Sequence, residues 1–433
     1  MDIVVAAGLI ALLIVVLGTG LWIGLALLGV AVFAMQVFTG RPVGDSMVFT
    51  IWGSTSSWTL TALPLFLWMG EILFRSRLTA DLFKGLAPWL NRLPGRLLHA
   101  NVIGCGIFAA VSGSSAATCA TIGKITLPEL KKRGYPDAIS MGSLAGAGTF
   151  GLLIPPSIIM IVYAVAADVS IAKLFVAGVL PGLLLMAIFS VYIAVWALRH
   201  PDQVPAADAE MNLLQKLHAA RHLLPIVSLI ALVIGAIYSG IATATESAAM
   251  GVAGALLLSR LEGSLTWASF KDGLFAACRV YCMIGLILAG AAFLTLAMGF
   301  IGLPREVAQF IGGLQLSQFW LLMLLMVFFI VLGCFLDGIS MVVLTMAVLL
   351  PTVQAAGIDL IWFGIFVVLV VEMAQITPPV GFNLFVLQGL TRRELPELAR
   401  MALPFFALLV LAVLVIYLFP QIVLFGPSLM GRA

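Results

Sequence analysis

The chain has 433 residues, 63% of them hydrophobic and only 9% charged, where soluble domains carry about 25% charged residues. This excludes an ordinary soluble protein and predicts a polytopic membrane protein, so the net charge of +3 bears on orientation in the bilayer and carries no suggestion of nucleic acid. Cys105, Cys119, Cys278, Cys282 and Cys334 sit in apolar surroundings without the paired spacing of a zinc site, and read as small buried hydrophobes.

The first twenty residues lack a basic leading region and run directly into a second apolar stretch, which predicts a first membrane helix and not a cleaved signal. Apolar runs able to cross about 30 Å of hydrocarbon occur near residues 3–17, 21–38, 51–74, 138–167, 174–198, 223–240, 244–259, 277–300, 362–390 and 402–420. Two further stretches, 98–127 and 319–350, are interrupted, by Ser112–Ser115 and by Asp337-Gly338. The run 138–167 is itself broken by Pro155-Pro156, and 362–390 by Pro378-Pro379. Such breaks are tolerated at membrane depth only where the freed backbone groups line a polar cavity or hold an ion.

Positive charge orients the interrupted stretches. Arg75, Arg77, Lys84, Arg92 and Arg96 precede 98–127, and Lys131, Lys132 and Arg133 follow it, so both ends are expected at the cytoplasm and the stretch is predicted to be a re-entrant hairpin. Arg199, Lys216 and Arg221, Arg260 with Lys271, and Arg392, Arg393 and Arg400 mark further cytoplasmic loops. The second stretch has only Arg305 before it and the neutral VQAAGIDL after it, which predicts a hairpin entering from the periplasm, with both chain termini also periplasmic.

A shift of 223 residues places Leu127-Pro128 on Leu350-Pro351, Gly134 on Gly357, Pro155-Pro156 on Pro378-Pro379 and Ser114 on Asp337. The matched residues are helix breakers, and the charge bias of the shared turn reverses between copies. This is the pattern of inverted-topology repeats in secondary transporters. Between the copies, residues 199–222 form the one long polar loop. Its His218 and His222 are too few for a metal site, so a surface amphipathic helix is expected.

A proline cannot donate to the carbonyl four residues earlier, so the Pro–Pro pairs are expected to free the oxygens of Gly151 and Leu152 and of Ala374 and Gln375. Facing them would be the tips Ser112, Gly113, Ser114 and Ser115, and Asp337, Gly338 and Ser340. Hydroxyls, carbonyls and a carboxylate are hard ligands suited to sodium, while amino ends of half-helices offer N–H groups to an anion, with Ser114, Ser115, Asp337 and Ser340 as substrate contacts. Of the charges in apolar segments, Glu71, Glu246, Asp337 and Glu372, Asp337 reads either as ion ligand or as brace of its tip, and Glu246 as a helix cap. No nucleophile–base constellation, nucleotide fingerprint or cofactor motif is evident, so neither an enzyme nor ATP hydrolysis on this chain is expected.

The segments VSGSSAATCATIGKITLPELKKRGYP, GAGTFGLLIPPSIIMIVYA, TATESAAMG, DGISMVVLTMAVLLP and EMAQITPPVGFNLFV resemble the large membrane subunit of tripartite ATP-independent periplasmic (TRAP) transporters, over nearly the whole chain. The resemblance implies an all-α ion-transporter-superfamily fold with inverted repeats, two re-entrant hairpins and two broken helices working as an elevator in the bacterial inner membrane. It implies sodium-coupled import of carboxylates or sialic acid, a periplasmic substrate-binding protein and a small four-helix membrane subunit as partners. Carried over by motif, one sodium site would use Ser112–Ser115 with Gly151, Ile154 and Pro156, and the other Asp337–Ser340 with Ala374, Thr377 and Pro379. The expected division is scaffold 1–97, first transport unit 98–167, scaffold and arm helices 168–318, second transport unit 319–390 and a C-terminal helix and tail 391–433. A self-sufficient sodium–dicarboxylate symporter of the same superfamily shares every backbone feature and stands as the alternative.

Overall fold

The computed structural model describes residues 3–206, 211–303, 306, 309, 313, 316–379 and 381–430. Among them all regular structure is helical. The first half runs through α1 (Ile3–Gly18), α2 (Ile23–Phe38), α3 (Val43–Thr55), α4 (Ala62–Phe74), α5 (Leu78–Leu90), α6 (His99–Ser112), α7 (Ser115–Lys132), α8 (Asp137–Gly148), α9 (Ile158–Ala166) and α10 (Ile171–Arg199). A short α11 (Leu213–Ala220) leads into α12 (Leu224–Tyr238), α13 (Ala244–Leu261) and α14 (Trp267–Ile301). The second half continues with α15 (Gln318–Gly333), α16 (Gly338–Ala355), α17 (Leu360–Gln375), α18 (Phe382–Thr391), α19 (Leu395–Leu418) and α20 (Gln421–Met430).

The offset of 223 residues, suggested by a handful of breakers, holds for the elements themselves. It carries α1 onto α12, α2 onto α13, and α6 to α10 onto α15 to α19. The packing repeats with it. Hairpin arm α7 of the first copy lies against α18 of the second, and α16 of the second lies against α9 of the first. The pair α2–α14 is likewise matched by α13–α4. Reciprocal exchange of this kind is what a two-fold relation between interlocked copies generates. One departure is informative: α3 and α4 together correspond to the single 35-residue α14. The first-copy counterpart is bent by 53° at Ser54-Thr55-Ser56-Ser57, where the Ser54 and Thr55 hydroxyls donate to the Ile51 carbonyl at 3.0 and 2.6 Å, an alternative to helical bonding that bends helices.

Both predicted hairpins are present, as α6–α7 and α15–α16, and both proline pairs end or interrupt helices. The run 51–74 proves to be the bent pair just described. Helix α5 has no counterpart among the predicted apolar runs because it is amphipathic, burying Leu78, Leu82, Leu86 and Leu90 at a four-residue spacing. The expected amphipathic helix of the long loop is α11, which exposes Leu213, Leu214 and Leu217 and buries Lys216 against the protein, as suits a helix lying in a membrane interface. His222 falls in the turn beyond it, and no metal-holding cluster of His, Cys, Asp or Glu occurs among the described residues. Cys105 and Cys119 are buried as expected; Cys334, at the end of its hairpin arm, is only half-buried, and Cys278 and Cys282 are exposed, since they lie on an outward face of α14. Arg305, on which the orientation of the second hairpin rests, lies outside the described residues.

Lipid tails are as apolar as leucine, so helices in a membrane associate through close contact of small residues. Gly142 and Gly146 bring α8 onto α19: a methyl at Gly142 would stand 2.2 Å from the Met401 carbonyl oxygen, and one at Gly146 2.7 Å from Phe405 Cβ. Gly24 and Gly290 do the same for α2 and α14, with Gly24 O 2.6 Å from a methyl at Gly290. Gly142→Ala is therefore expected to destabilise the protein by about 1–3 kcal/mol, seen as a lower melting temperature in detergent. Gly299→Ala, with nothing within 4 Å of the added methyl, serves as the control and leaves the melting temperature unchanged or raised. Equal behaviour of the two would refute the close-contact account.

Candidate functional site

Each hairpin tip is closed by a helix cap. In the first, α6 ends at Gly113 in the left-handed region (φ 60°), and Ser114, extended, caps α7 by accepting the Ala117 N–H at 3.4 Å. The Ser112 and Thr118 hydroxyls share a hydrogen bond of 2.7 Å, and Thr118 donates to the Ser114 carbonyl at 2.8 Å. In the second, Asp337 caps α16: its Oδ2 accepts the Ile339 and Ser340 N–H groups at 3.1 and 3.3 Å, and its Oδ1 accepts the Ser340 hydroxyl. Ser114 and Asp337 are partners under the repeat, so one structural position is filled by a hydroxyl in one copy and a carboxylate in the other.

Each tip also rests on the break of its own copy. A methyl at Gly113 would lie 2.9 Å from the Pro156 carbonyl oxygen, and one at Gly151 would lie 2.5 Å from the Ser114 carbonyl. In the second copy the Cys334 thiol donates to the Pro378 carbonyl at 3.3 Å, and Gly333 meets the methyl of Ala374, the counterpart of Gly151. The hairpin thus meets the break of its own copy in both halves, through different residue pairs. Both Pro–Pro bonds are cis. Pro155 and Pro156 are buried, whereas Pro378 and Pro379 are exposed.

The two copies meet at Gln375. Its Oε1 accepts the Ser115 hydroxyl of the first tip at 3.4 Å, while a methyl built at Gly338 of the second tip would lie 3.7 Å from its Nε2. A buried amide thus stands between the tips, where its counterpart Leu152 would have offered no polar atom. The expected set of four free oxygens is reduced to two. Leu152 O accepts the hydroxyl of Ser157, just past its break, at 2.5 Å, and Ala374 O accepts the N–H of Thr377, just before its break, at 3.2 Å. Among the described residues no donor reaches Gly151 O or Gln375 O. Thr377 spends its hydroxyl on Met373 O at 2.7 Å, and Ile154 packs toward Gly182 on α10, away from the tip.

Residues 10–422 match the family described as tripartite ATP-independent periplasmic transporter, DctM component. The chain belongs to this family of TRAP large permeases. It is 32% identical to the C4-dicarboxylate TRAP large permease of Pseudomonas aeruginosa over 90% of each chain, and 30% identical to the ectoine TRAP large permease of Halomonas elongata over 100% of each. It is also 32% identical to the isethionate TRAP permease DctMQ of Oleidesulfovibrio alaskensis, covering 95% of this chain and 64% of that one. In fold it is similar to the YdaH transporter of Alcanivorax borkumensis, with a TM-score of 0.64 over 95% of this chain and 97% of that one, at 14% identity.

The remaining charges of this TRAP permease separate cleanly. Glu71 pairs with Arg75 at 3.2 Å. Glu246 accepts the Thr243 N–H and hydroxyl at 2.8 and 2.9 Å and completes a capping box at the start of α13, as its position before an apolar run predicts. Glu372 differs from both. It is fully buried on α17, neither carboxyl oxygen has a hydrogen-bond partner among the described residues, and it lies beside Thr149. Thr149 is its own counterpart under the repeat, so this pair marks the two-fold axis. The side chain of Gln375 was hidden from sequence reasoning, which counted only its carbonyl; the one available signal was a polar residue standing where the other copy has leucine.

The tip–break contact yields a direct test. Gly151→Ala places a methyl against the Ser114 backbone and is expected to cost about 1–3 kcal/mol through overpacking, with a loss of solute uptake larger than the loss of protein in the membrane. Uptake that merely tracks abundance would remove the tip contact from the working site.

Proposed function

We propose that this TRAP large permease is the membrane pathway of a sodium-coupled importer of acidic solutes, carboxylates in the first place, receiving its substrate from a periplasmic binding protein and supported by a small four-helix membrane subunit. The observation that carries the reading is the convergence of two capped hairpin tips on Gln375. It gathers hydroxyls, a carboxylate and the Gly151 and Gln375 carbonyls, hard oxygen ligands of the kind sodium takes. The same tips present the amino ends of α7 and α16, whose N–H groups and positive dipole ends favour an anion. Sodium site one would draw on Ser112–Ser115 and Gly151, site two on Asp337, Ser340 and the Ala374–Thr377 turn.

Relatives named for C4-dicarboxylate, isethionate and ectoine transport support a small charged solute, and sialic acid stays within the same class. Transport by an elevator motion of the tip-bearing units against the α2–α14 and α4–α13 scaffold agrees with the interlocking of the two copies into one core. The lysine- and arginine-rich turns support a cytoplasmic placement of the first hairpin's base and periplasmic termini. A relative named as a DctMQ permease, of which this chain covers 64%, supports a small-subunit partner. In proteoliposomes, the chain with its small subunit should import solute only when loaded binding protein and a sodium gradient are both supplied. Import without the binding protein would instead establish the self-sufficient symporter.

Asp337→Asn retains a side chain that caps helices about as well as aspartate but removes the negative charge. It and Ser114→Ala are each expected to raise the sodium concentration for half-maximal uptake on the order of tenfold, the scale typical of disturbing a metal site, at unchanged abundance. Sodium activation curves identical to wild type in both variants would sink the assignment.

A further inference from the structure

A cavity of about 580 Å³ opens where α7 and α8 meet the junction of α18 and α19, and its lining includes Lys124, Lys131, Asp137, Ser140, Thr391 and Arg393. Its volume lies within the range of small-molecule sites, about 300–1,000 Å³. It is separate from the hairpin tips. Along α7, Lys124 and Lys131 lie nine and sixteen residues beyond Ser115, about 14 and 24 Å at the rise of an α-helix. At Gly123 the helices close together, a methyl there standing 2.8 Å from Leu144 and 2.9 Å from Leu390, and the cavity begins beyond that contact.

Positive groups outnumber negative ones on its walls, three cations to one carboxylate. Lys124 and Lys131 are seven residues apart, two helical turns, so both project from the face of α7 that lines the cavity. Both are exposed, and among the described residues neither joins a salt bridge. The carboxylate on the wall, Asp137, is paired with Arg393, which it shares with Glu397 outside the cavity lining. Asp137 is moreover the first residue of α8, so the amino-terminal turn of a 12-residue helix, with its positive dipole end, opens on the same space. Two ammonium groups outside any salt bridge and a helix amino end make a receptor for a small oxyanion, while the Thr391 hydroxyl donates to Leu387 O at 2.7 Å and contributes no donor.

We propose that this cavity binds a phosphate- or carboxylate-class oxyanion between Lys124 and Lys131, at a site distinct from the transport path. A free anion and the headgroup of an anionic lipid present the same chemistry to it. The test is thermal melting of the purified full chain in neutral detergent, titrated with inorganic phosphate against sodium chloride at matched ionic strength and fixed sodium. A saturable rise in melting temperature is expected for wild type and for K124R/K131R, and its loss is expected in K124Q/K131Q. No rise over chloride, or the same rise in the glutamine variant, overturns the proposal; should the double variant fail to fold, K124Q and K131Q singly provide the same comparison. Repeating the titration with phosphatidylglycerol in the micelles assigns the source. Abolition of the phosphate increment identifies a lipid headgroup as the occupant and its persistence identifies a soluble anion, either of which keeps the site. Because neither lysine belongs to the tips, failure here leaves the transport reading intact, and failure of sodium coupling leaves this cavity intact.

Discussion

The constraint on which the rest depends is that a helix interrupted inside hydrocarbon must have its freed backbone groups satisfied by the protein itself. Four interruptions occur at the core of this chain, and they satisfy one another in pairs. Ser114 and Asp337 cap the helices that leave the tips. The tips in turn sit on the two proline breaks, at Pro156 through Gly113 and at Pro378 through Cys334. The hydroxyl of Ser157 and the N–H of Thr377 then absorb the acceptors nearest each proline pair. What is left over among the described residues includes the Gly151 and Gln375 oxygens and the amino ends of α7 and α16.

Symmetry governs the frame, and departures from it carry the chemistry. Helices, crossings and caps recur at one offset through almost the whole chain. Three matched positions near the core have a more polar or charged residue in the second copy, Ser114 against Asp337, Leu152 against Gln375 and Thr149 against Glu372, while Ser112 against Phe335 and Thr118 against Met341 run the other way. A pair of identical copies would enclose two identical half-sites. This chain encloses a hydroxyl-lined tip and a carboxylate-lined tip, joined by one amide that reaches both.

Much of this was legible in the sequence because helix breakers and charges obey strong local rules. Pro155-Pro156, Pro378-Pro379, the Gly-Ser tip and the Lys131–Arg133 turn were enough to place both hairpins, both breaks and the repeat. What escaped was decided by partners distant along the chain or by a rule of another period. The Leu152 carbonyl looked free by counting four residues back from a proline, but a serine five residues on reached it. Helix α5 hid because its apolar residues lie on one stripe, which a search for continuous hydrophobic runs passes over. Cys278 and Cys282 were misplaced because an apolar neighbourhood in sequence does not distinguish a lipid-facing side from a protein-facing one.

Glu372 shows how far the two-fold plan can be bent. The residue on the axis must pack against its own counterpart, so the cheapest solution is a pair of small neutral side chains such as threonine with threonine. Here a carboxyl is placed opposite Thr149, fully buried on the helix that also carries Gln375, and the Thr149 hydroxyl is turned away, donating to Gly146 O at 2.8 Å. A buried carboxyl with no donor within hydrogen-bond distance is costly in such surroundings. Glu246 and Glu71 each have a partner in their own helix or cap. The acidic residue without a hydrogen-bond partner therefore lies one helical turn from the amide joining the two tips.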